Sequence, residues 1–414
     1  MKLAPIVSET KMIKKCEVCQ NKELETVLDL GLHPMCDDLI KIGENEVCND
    51  YPIVILYCKN CRTAHQKYQV PKHDLFPISY HYRARFTADV LKGMKGLVKS
   101  CEEQFGILQD KKVLDIGCND GSLLNFFKEK GAITIGIEPT GAYHDAIANG
   151  HSGICDYFSE QTAMKVVDKY GKPDFITFTN VFAHIEDLKS VLNSLKILKH
   201  KNTKIIIENH YLGSVLKGNQ FDTFYHEHPR TYSYTSFKFI AESLGLKIES
   251  LEFPSRYGGN IRVIMGNGEI LNSNVNLVEL ESIEEKFYIN FAELNTRINI
   301  WLKSKNDEIQ KLIKHYGNIN AKAFPGRAAI LVKMLKLDSD IISKVYEKPG
   351  SLKIGHYLPG TRIPIHSDEE LLSSNQLNMP ILNLAWHISD EIENYLRKNK
   401  FTGDILHILS KDDF

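Results

Sequence analysis

Four consecutive side chains that can each carry or share a proton stand together near the middle of the sequence. They are Tyr225, His226, Glu227 and His228, and Pro229 follows directly. A histidine with an unperturbed pKa near 6.5 can take up and release a proton at neutral pH. A residue before proline favours an extended backbone, which restricts the direction of the His228 side chain. We therefore expect His228 to act as a general base, oriented by Glu227 or a tyrosine.

Two other interpretations of this run stay open. His226 and His228 would share one face of an extended strand, where two imidazoles can bind one metal ion, although the sequence offers no evident third ligand. The run can also be a polar loop whose side chains are satisfied by the protein itself.

Four of the nine cysteines form two Cys-x-x-Cys pairs, Cys16 with Cys19 and Cys58 with Cys61. Thiolates two residues apart on a tight turn can point at one centre, and two such turns complete the tetrahedral sulfur shell of a structural zinc ion. We expect one Zn²⁺ that stabilises the fold and takes no part in catalysis. Four rival ligands lie nearby, namely Cys36, Cys48, His33 and His65. The alternative is a set of buried thiols without metal.

The segment between the cysteine pairs must form a small subdomain that brings them together. Its stretch "DLGLHPMCDDLI" predicts a loop, and "YPIVILYC" predicts a buried strand that leads into the second pair. Beyond it, residues 68–87 show prolines and aromatics without a period, so we place a domain boundary there.

A strand, glycine loop, helix, strand and acid follow one another from residue 113. Apolar runs at 113–116 and 133–137 predict the strands, 117–121 the loop and 122–130 the helix, and Glu138 ends the second strand. This order is typical of a Rossmann-type nucleoside site, in which the acid accepts the ribose hydroxyls.

The loop also indicates which nucleoside it would bind. Asp115 precedes Gly117, and Asp120 lies inside the loop that ends at Gly121. Carboxylates at these places repel a pyrophosphate and suit a ligand with an ammonium and a sulfonium group. That ligand is S-adenosylmethionine, and the loop resembles the D-x-G-x-x-x-G motif of class I methyltransferases. A glycine turn without a cofactor is the alternative.

The βαβ alternation continues downstream, which predicts a mostly parallel sheet. Further strands are expected at 175–178, 204–207, 246–249 and 261–265. Ligand contacts should follow the carboxyl ends of the strands, where "TNVFAHIEDL" carries Asn180 and His184, and where Asp156 can reach the adenine edge. The expected cofactor-binding residues are Asp115, Gly117, Asn119, Gly121, Glu138, Asp156 and Asn180.

The composition excludes several functional classes. Among 414 residues, 51 Lys and Arg oppose 52 Asp and Glu, so the chain as a whole offers no electrostatic attraction for nucleic acid or a membrane surface. The opening "MKLAPIVSETKMIKK" has no signal-peptide core, and no window reaches the length of a membrane span. We expect a cytoplasmic protein that is a monomer or a weak homo-oligomer.

The last third begins with helical spacing and ends in short strands. Apolar residues at 283, 287, 291, 294 and 298 predict a long helix packed on a neighbour. The stretches "AFPGRAAILV", "IISKVYE", "ILNLAWHI" and "DILHIL" predict strands and turns of a second open α/β layer.

These motifs together resemble the sugar C-methyltransferase family of deoxysugar pathways. The matching segments are the two cysteine pairs, "VLDIGCNDGSLL", "GIEP", "TNVFAHIEDL", "QFDTFYHEH", "YGGNIRV", "YLPGTRIPI" and "NLAWHISDEI". The resemblance implies methylation at carbon 3 of a nucleotide-linked 4-keto sugar with His228 as the base. It implies supporting roles for Tyr225, Glu227 and His184, and it places Tyr80 or Tyr82 against the sugar.

The resemblance also implies an α/β chain of three domains and a substrate site. We expect a small zinc-binding domain at 1–75, a Rossmann-like class I methyltransferase domain at 76–270 and an open α/β domain at 271–414 that helps to bind the sugar nucleotide. Tyr257, Arg327 and Tyr357 are the expected substrate-binding residues. Arg327 stands where the family has lysine, and the pair Pro229 and Arg230 stands where the family has an aromatic or aliphatic pair. The carrier is therefore open among dTDP, GDP and CDP.

Three functions follow from the sequence. The first is C-methylation through an enolate formed by His228. The second is methylation of a hydroxyl oxygen with the same cofactor. The third is a zinc-stabilised binding protein without catalysis.

Overall fold

The structure, a computed structural model, describes residues 10–76, 83–269 and 275–414. The strands in chain order are β1 Lys11–Met12, β2 Glu25–Pro34, β3 Asp50–Cys58, β4 Thr63–Gln66, β5 Tyr68–Gln69, β6 Lys112–Ile116, β7 Ile133–Ile137, β8 Ser152–Ile154, β9 Phe175–Thr179, β10 Lys204–His210, β11 Arg230–Thr231, β12 Lys247–Glu252, β13 Asn260–Gly266, β14 Ile319–Lys322, β15 Ile342–Glu347, β16 Ile365–Ser367, β17 Ile381–Asn383 and β18 Ile405–His407. The helices are α1 Lys72–Leu75, α2 Ala88–Phe105, α3 Ser122–Lys128, α4 Ala142–Ala148, α5 Glu160–Tyr170, α6 Leu188–Leu198, α7 Leu212–Lys217, α8 Tyr234–Ser243, α9 Leu277–Glu285, α10 Phe287–Tyr316, α11 Ala328–Met334, α12 Asp368–Leu372 and α13 Ser389–Lys398.

An antiparallel sheet of four strands, in the order β11, β4, β3, β2, organises the N-terminal region. The predicted strand in "YPIVILYC" is confirmed as β3, which is buried over nearly its whole length. The predicted loop is wrong in its first half, because β2 continues to Pro34. Two register shifts interrupt the pairing of β2 with β3, and Gly31 has a φ of 86°. Such bulges break the alternation by which a strand is recognised in sequence.

The edge strand of this sheet comes from far along the chain. β11 contains Arg230 and Thr231, which pair with His65 and Ala64 of β4. The sheet therefore includes residues from both sides of the boundary expected near residue 75. The division into three domains stays a prediction.

The central sheet has seven strands in the order β12, β13, β10, β9, β6, β7, β8. The five strands β6 to β10 run parallel, and β13 runs antiparallel to both of its neighbours. The predicted Rossmann-like α/β architecture is confirmed. Because the carboxyl ends of parallel strands meet at one edge, the segments that follow β6, β7, β9 and β10 are brought together there.

A second parallel sheet, with the order β16, β15, β14, β17, β18, forms the C-terminal region. The strands expected in "IISKVYE", "ILNLAWHI" and "DILHIL" are present. The stretch "AFPGRAAILV" instead leads into α11, whose residues 328–332 are all buried. A run buried on every side has no period, so its sequence does not separate helix from strand.

The expected long helix is divided at Lys286 into α9 and α10. Four of its five marker residues are buried, whereas Ile283 is 47% exposed, so the expected packing of Ile283 is wrong. In α10, Asn295 donates to the Val27 carbonyl of β2 and Trp301 donates to the Ile408 carbonyl beyond β18. This helix therefore joins the N-terminal and C-terminal regions. In the described part of the chain, no helix is long and apolar enough to cross a membrane.

Candidate active site

The four paired cysteines converge on one point. Their Sγ atoms all lie within 4.8 Å of one another. Cys16 Sγ is 3.3 Å from Cys61 Sγ, and Cys19 Sγ is 3.5 Å from Cys58 Sγ. Hydrogen bonds from the neighbouring thiols, that of Cys16 first, lower the pKa of Cys58 and favour its thiolate. These donors fit the tetrahedral sulfur shell of a structural zinc ion.

Two rival ligands have other partners. His33 Nε2 lies 2.7 Å from the Leu30 carbonyl, and the Cys48 thiol donates to the Asp38 carbonyl at 3.2 Å. Within the described ranges, the four paired cysteines form the one group of His, Cys, Asp and Glu side chains arranged to hold a metal.

The expected cofactor loop lies between β6 and α3. Gly117 has a φ of 66° and Gly121 a φ of 78°, which glycine adopts without strain. A Cβ atom at Gly117 would lie 2.7 Å from Val181, and one at Gly121 would lie 2.7 Å from His151. These glycines therefore permit the close approach of the loop to its neighbouring segments.

The carboxylate of Glu138 is buried beside this loop at the end of β7. It accepts hydrogen bonds from the Asn119 amide at 3.0 Å and from the amide and hydroxyl of Thr140 at 2.9 and 2.6 Å. A carboxylate has about four acceptor positions, so one stays open for a ribose hydroxyl. The sequence had suggested contacts to both hydroxyls.

The carboxyl group of Asp115 lies beneath the loop, where it accepts the Thr177 hydroxyl at 2.6 Å. Burial raises the pKa of Asp115 to about 7. A ligand ammonium group nearby would favour the charged carboxylate, which fits the expected cofactor.

Asn180 and Asp156 follow β9 and β8 at the same edge. The Asn180 amide donates to the Glu208 carbonyl at 2.7 Å, and its side-chain oxygen accepts from Asn260 at 3.2 Å. Asp156 is half-buried and forms an ion pair with Lys165 at 3.4 Å. Their roles in cofactor binding stay predictions.

The sequence reasoning missed a segment that lies on the loop. The Ala84 amide donates to Asn119 Oδ1 and the Arg85 amide donates to Asp120 Oδ2, each at 3.0 Å. Arg83 also pairs with Asp145 of α4 at 2.8 Å. Two arginines just ahead of α2, together with the acidic residues of the loop, could have indicated this contact from the sequence.

Three histidines from separate segments meet near the end of β10. The ring centroid of His228 lies 4.8 Å from that of His184 and 5.3 Å from that of His210. The Tyr225 ring lies 4.2 Å from His228. The sequence reasoning missed His210, although its place at the carboxyl end of a parallel strand would have indicated it.

The hydrogen bonds of His228 leave one ring nitrogen able to accept a proton. Nδ1 lies 2.8 Å from the Thr223 carbonyl, which only accepts, so we assign the proton to Nδ1 and the lone pair to Nε2. Burial lowers the pKa of His228 well below its usual value, and the nearby His184 and His210 act in the same direction. The imidazole is therefore a neutral base at neutral pH.

Burial favours the protonated forms of two further groups of the cluster. Burial raises the pKa of Glu227 well above its usual value, and the neighbouring Asp37 adds to the effect. Burial also raises the pKa of Tyr225. Both side chains can therefore donate a hydrogen bond to a developing negative charge.

His226 points away from this cluster. The backbone between Tyr225 and His228 forms a turn, closed by the His228 amide at 2.9 Å from the Tyr225 carbonyl, instead of an extended strand. His226 Nε2 lies 3.1 Å from the Tyr51 carbonyl. The two histidines do not share a face, so the metal-pair interpretation is wrong.

The C-terminal region contacts the segment that leads into this cluster. Arg327 donates from Nε and Nη2 to the carboxylate of buried Asp222, both at 2.7 Å, and Trp386 Nε1 donates to the same carboxylate at 2.9 Å. A Cβ atom at Gly326 would lie 3.0 Å from Cys36. The Arg327 guanidinium, which was expected to bind substrate, is thus paired with a protein carboxylate, and its contact with substrate stays a prediction.

The tyrosines that were expected to contact the substrate lie in different parts of the chain, and the structure does not describe all of them. The Tyr357 hydroxyl accepts the Gly43 amide at 3.2 Å, so it joins the C-terminal and N-terminal regions. Tyr257 lies in the short turn Arg256–Gly258. Tyr80 and Tyr82 lie outside the described residues.

The buried histidines predict a loss of stability in mild acid. Burial lowers the pKa of six of them to about 3 or 4, and these are His65, His151, His184, His210, His226 and His387. Their unfolded pKa is near 6.5, so unfolding takes up protons below that pH and the folded state is destabilised as the pH falls. The raised pKa values of Asp115 and Glu227 have the opposite effect on stability, but these are two groups against six histidines. We expect the free energy of unfolding to fall by about 3 kcal/mol between pH 6.5 and 5.5.

Urea unfolding at pH 7.5, 6.5 and 5.5, with zinc content determined in each sample, measures this loss. His226→Gln keeps a donor for the Tyr51 carbonyl, so it should reduce the slope by about one proton. A stability that is flat over this range would contradict the expectation.

The fold and the site define the class of protein, a Rossmann-like S-adenosylmethionine-dependent methyltransferase with a zinc-binding region. Family profiles match three segments in order: a zinc binding domain at 16–76, a methyltransferase domain at 87–251 and a C-methyltransferase C-terminal domain at 255–406. The three matches, in this order, together cover most of the chain and support the sugar C-methyltransferase family.

One curated relative matches almost end to end. C-methyltransferase NovU from Streptomyces niveus is 25% identical over 395 residues, which cover 92% of this chain and 91% of that protein.

Two solved structures are similar to parts of the chain. Magnesium protoporphyrin IX methyltransferase from Synechocystis PCC 6803 with bound SAH is 16% identical and covers 43% of this chain and 83% of its own, with a TM-score of 0.34. A SAM-dependent methyltransferase from Archaeoglobus fulgidus is 20% identical and covers 50% and 87%, with a TM-score of 0.32.

Proposed function

We propose that this enzyme transfers a methyl group from S-adenosylmethionine to carbon 3 of a nucleotide-linked 4-keto deoxysugar. The observation that carries the proposal is the buried, neutral imidazole of His228, whose Nε2 is left as a proton acceptor. The imidazole lies at the carboxyl edge of the central sheet, where the cofactor loop also lies. S-adenosylmethionine, when bound, supplies an electrophilic methyl group.

A carbon atom becomes nucleophilic only after it loses a proton. In a 4-keto sugar the carbonyl acidifies the proton at carbon 3, and His228 Nε2 takes that proton to give an enolate. The negative charge collects on oxygen 4. Preorganised donors at such an oxygen contribute a few kcal/mol to rate acceleration.

The protonated groups around His228 suit this oxygen. Burial favours the protonated forms of Tyr225 and Glu227, and both belong to the same turn as the base. His184 is held by a contact of 2.8 Å between its Nδ1 and the Glu227 carbonyl. A base surrounded by neutral donors favours an enolate over the deprotonation of a simple hydroxyl.

The C-terminal sheet supports a place for the nucleotide. Its strand order reverses between β14 and β17, and ligands of open α/β sheets bind in the crevice at such a switch point. The segments after these two strands carry Arg327 and Trp386, which both contact Asp222. Asp222 precedes the catalytic run by only a few residues, so a sugar nucleotide in this crevice would place its sugar near His228.

The experiment that tests the proposal combines methyl transfer with hydrogen exchange. The zinc-loaded protein is incubated in heavy water with S-adenosylmethionine and separate dTDP-, GDP- and CDP-linked 4-keto sugars, and products are examined by NMR and mass spectrometry. A new methyl group on carbon 3 with one of the carriers supports the proposal and identifies the carrier. A methyl group on oxygen without exchange at carbon 3 supports O-methylation, and failure to bind S-adenosylmethionine supports the non-catalytic alternative.

A further inference from the structure

Arg230 lies two residues beyond His228 and is only 1% exposed. Its side chain reaches the loop that follows His184. Nη2 donates to the Ile185 carbonyl, and Nη1 donates to the Glu186 carbonyl at 3.1 Å. The Arg230 guanidinium thus contacts the backbone that follows His184. Arg230 itself lies two residues after His228, so it connects the segments of two histidines of the cluster.

The same guanidinium also contacts the zinc-binding region. Nη1 forms an ion pair with Glu17, which lies between Cys16 and Cys19. The Glu17 carboxylate is fixed further by Gln69 Nε2 at 2.9 Å. A buried arginine with a planar set of donors can hold a carboxylate and two carbonyls in one fixed geometry, whereas the three donors of a lysine radiate from one freely rotating nitrogen.

The N-terminal sheet fixes the catalytic run from both ends. At its end, the Gln66 amide donates to the Pro229 carbonyl at 2.9 Å, and β11 continues from there. At its start, Gln66 Nε2 donates to the Phe224 carbonyl at 3.0 Å. The sheet that supports the second cysteine pair therefore also determines where His228 lies.

We propose that Arg230 is a positioning residue that ties the Cys16–Cys19 turn to the backbones of His184 and His228. The folded cysteine turn then sets the separation of the two imidazoles, in addition to stabilising its own region. Arg230 stands at a position where the sequence departs from the pattern that it otherwise resembles. This inference rests on the proposed function for its kinetic readout, but its structural readout is independent of the reaction.

Arg230→Lys tests the tie, because lysine keeps the positive charge for Glu17 but has one nitrogen in place of the planar fork, so it cannot reproduce the donor spacing that meets the Ile185 and Glu186 carbonyls. We expect kcat and the rate of carbon 3 exchange to fall about 10-fold or more, since small displacements of catalytic groups are costly. The KM for the keto sugar, the affinity for S-adenosylmethionine and the zinc content should change less than about 3-fold, because the side-chain hydrogen bonds of Arg230 go to Tyr232, Glu17, Ile185 and Glu186, and not to a cysteine or an expected ligand-binding residue.

Hydrogen–deuterium exchange followed by mass spectrometry gives the second readout on the zinc-loaded protein. Peptides covering 183–187 and 224–232 should exchange faster in Arg230→Lys, while peptides of the C-terminal sheet stay unchanged. If the wild type methylates an acceptor other than carbon 3, the exchange rates of these peptides still show whether Arg230 holds the two segments together. Failure of the proposed function is thereby distinguished from failure of the inference.

Lys305→Met is the matched control. Lys305 is also a buried cation, paired with Glu308 at 2.8 Å and Asp413 at 3.0 Å, but it belongs to α10. We expect it to lose stability and to keep kcat. An Arg230→Lys enzyme with kcat within 2-fold of wild type would overturn the proposal, as would an equal loss of kcat in Lys305→Met.

Glu17→Gln keeps the test decisive if Arg230→Lys does not fold. It removes the charge at the cysteine turn but retains an oxygen that can accept from Arg230. We expect a smaller fall in kcat, about 3-fold to 10-fold, and faster exchange of the 183–187 peptide. Unchanged kcat together with unchanged exchange would contradict the tie.

Discussion

His228→Asn is expected to lower kcat by about 100-fold to 10,000-fold and to abolish exchange at carbon 3, the range typical of a lost general base. The fold should survive, because the asparagine amide can replace Nδ1 as the donor to the Thr223 carbonyl. Affinity for S-adenosylmethionine should be retained, since the cofactor loop lies on other segments. Single-turnover methyl transfer, carbon 3 exchange and calorimetric cofactor binding measure these three quantities.

His226→Gln is the matched control for this variant. It changes a histidine in the same run whose Nε2 faces the Tyr51 carbonyl instead of the cluster. Turnover within about 3-fold of wild type is expected. If His228→Asn kept its turnover, another residue would be the base, and His210 would be examined first because its ring lies 5.3 Å from His228.

Cys58→Ser is expected to lose most of the bound zinc and to lower the free energy of unfolding by roughly 5 kcal/mol or more, because metal binding at such a site is part of the folding free energy. Cys58 ends β3 and precedes β4, so its loss should loosen the sheet that β11 joins. Turnover should fall as a consequence. Metal analysis by mass spectrometry and urea unfolding at pH 7.5 check the two primary effects.

Cys155→Ser supplies the comparison for zinc content and stability. Cys155 is exposed and lies outside the cysteine cluster, so one zinc ion per chain and an unchanged unfolding midpoint are expected. A Cys58→Ser protein with full zinc content would show that the metal is held by other ligands.

Local patterns were enough to predict the architecture around the loop that is expected to bind the cofactor. The glycine loop, the flanking apolar runs and Glu138 lie within about one βαβ unit, and the structure places them side by side at the end of β6 and β7. Such a unit folds by contacts between near neighbours in sequence, so spacing and periodicity carry most of the information.

Long-range contacts were not predictable in the same way. The sequence did not indicate that Arg230 would pair with Glu17, or that β11 would extend the N-terminal sheet. A two-residue strand has no period to detect, and its partner is more than 150 residues away in the chain. The same limit applies to Arg327, whose pairing with Asp222 joins the C-terminal region to the segment just before Tyr225.

The sequence by itself determined the parallel sheets, the cofactor loop, the two cysteine pairs and the run from Tyr225 to His228, because each can be recognised from residue types and spacings within a short stretch of chain. Only the tertiary structure decided which groups surround His228 and which charge states they have. Those properties depend on burial and on segments that meet only after folding, as when desolvation makes His228 a neutral base and favours the protonated form of Glu227.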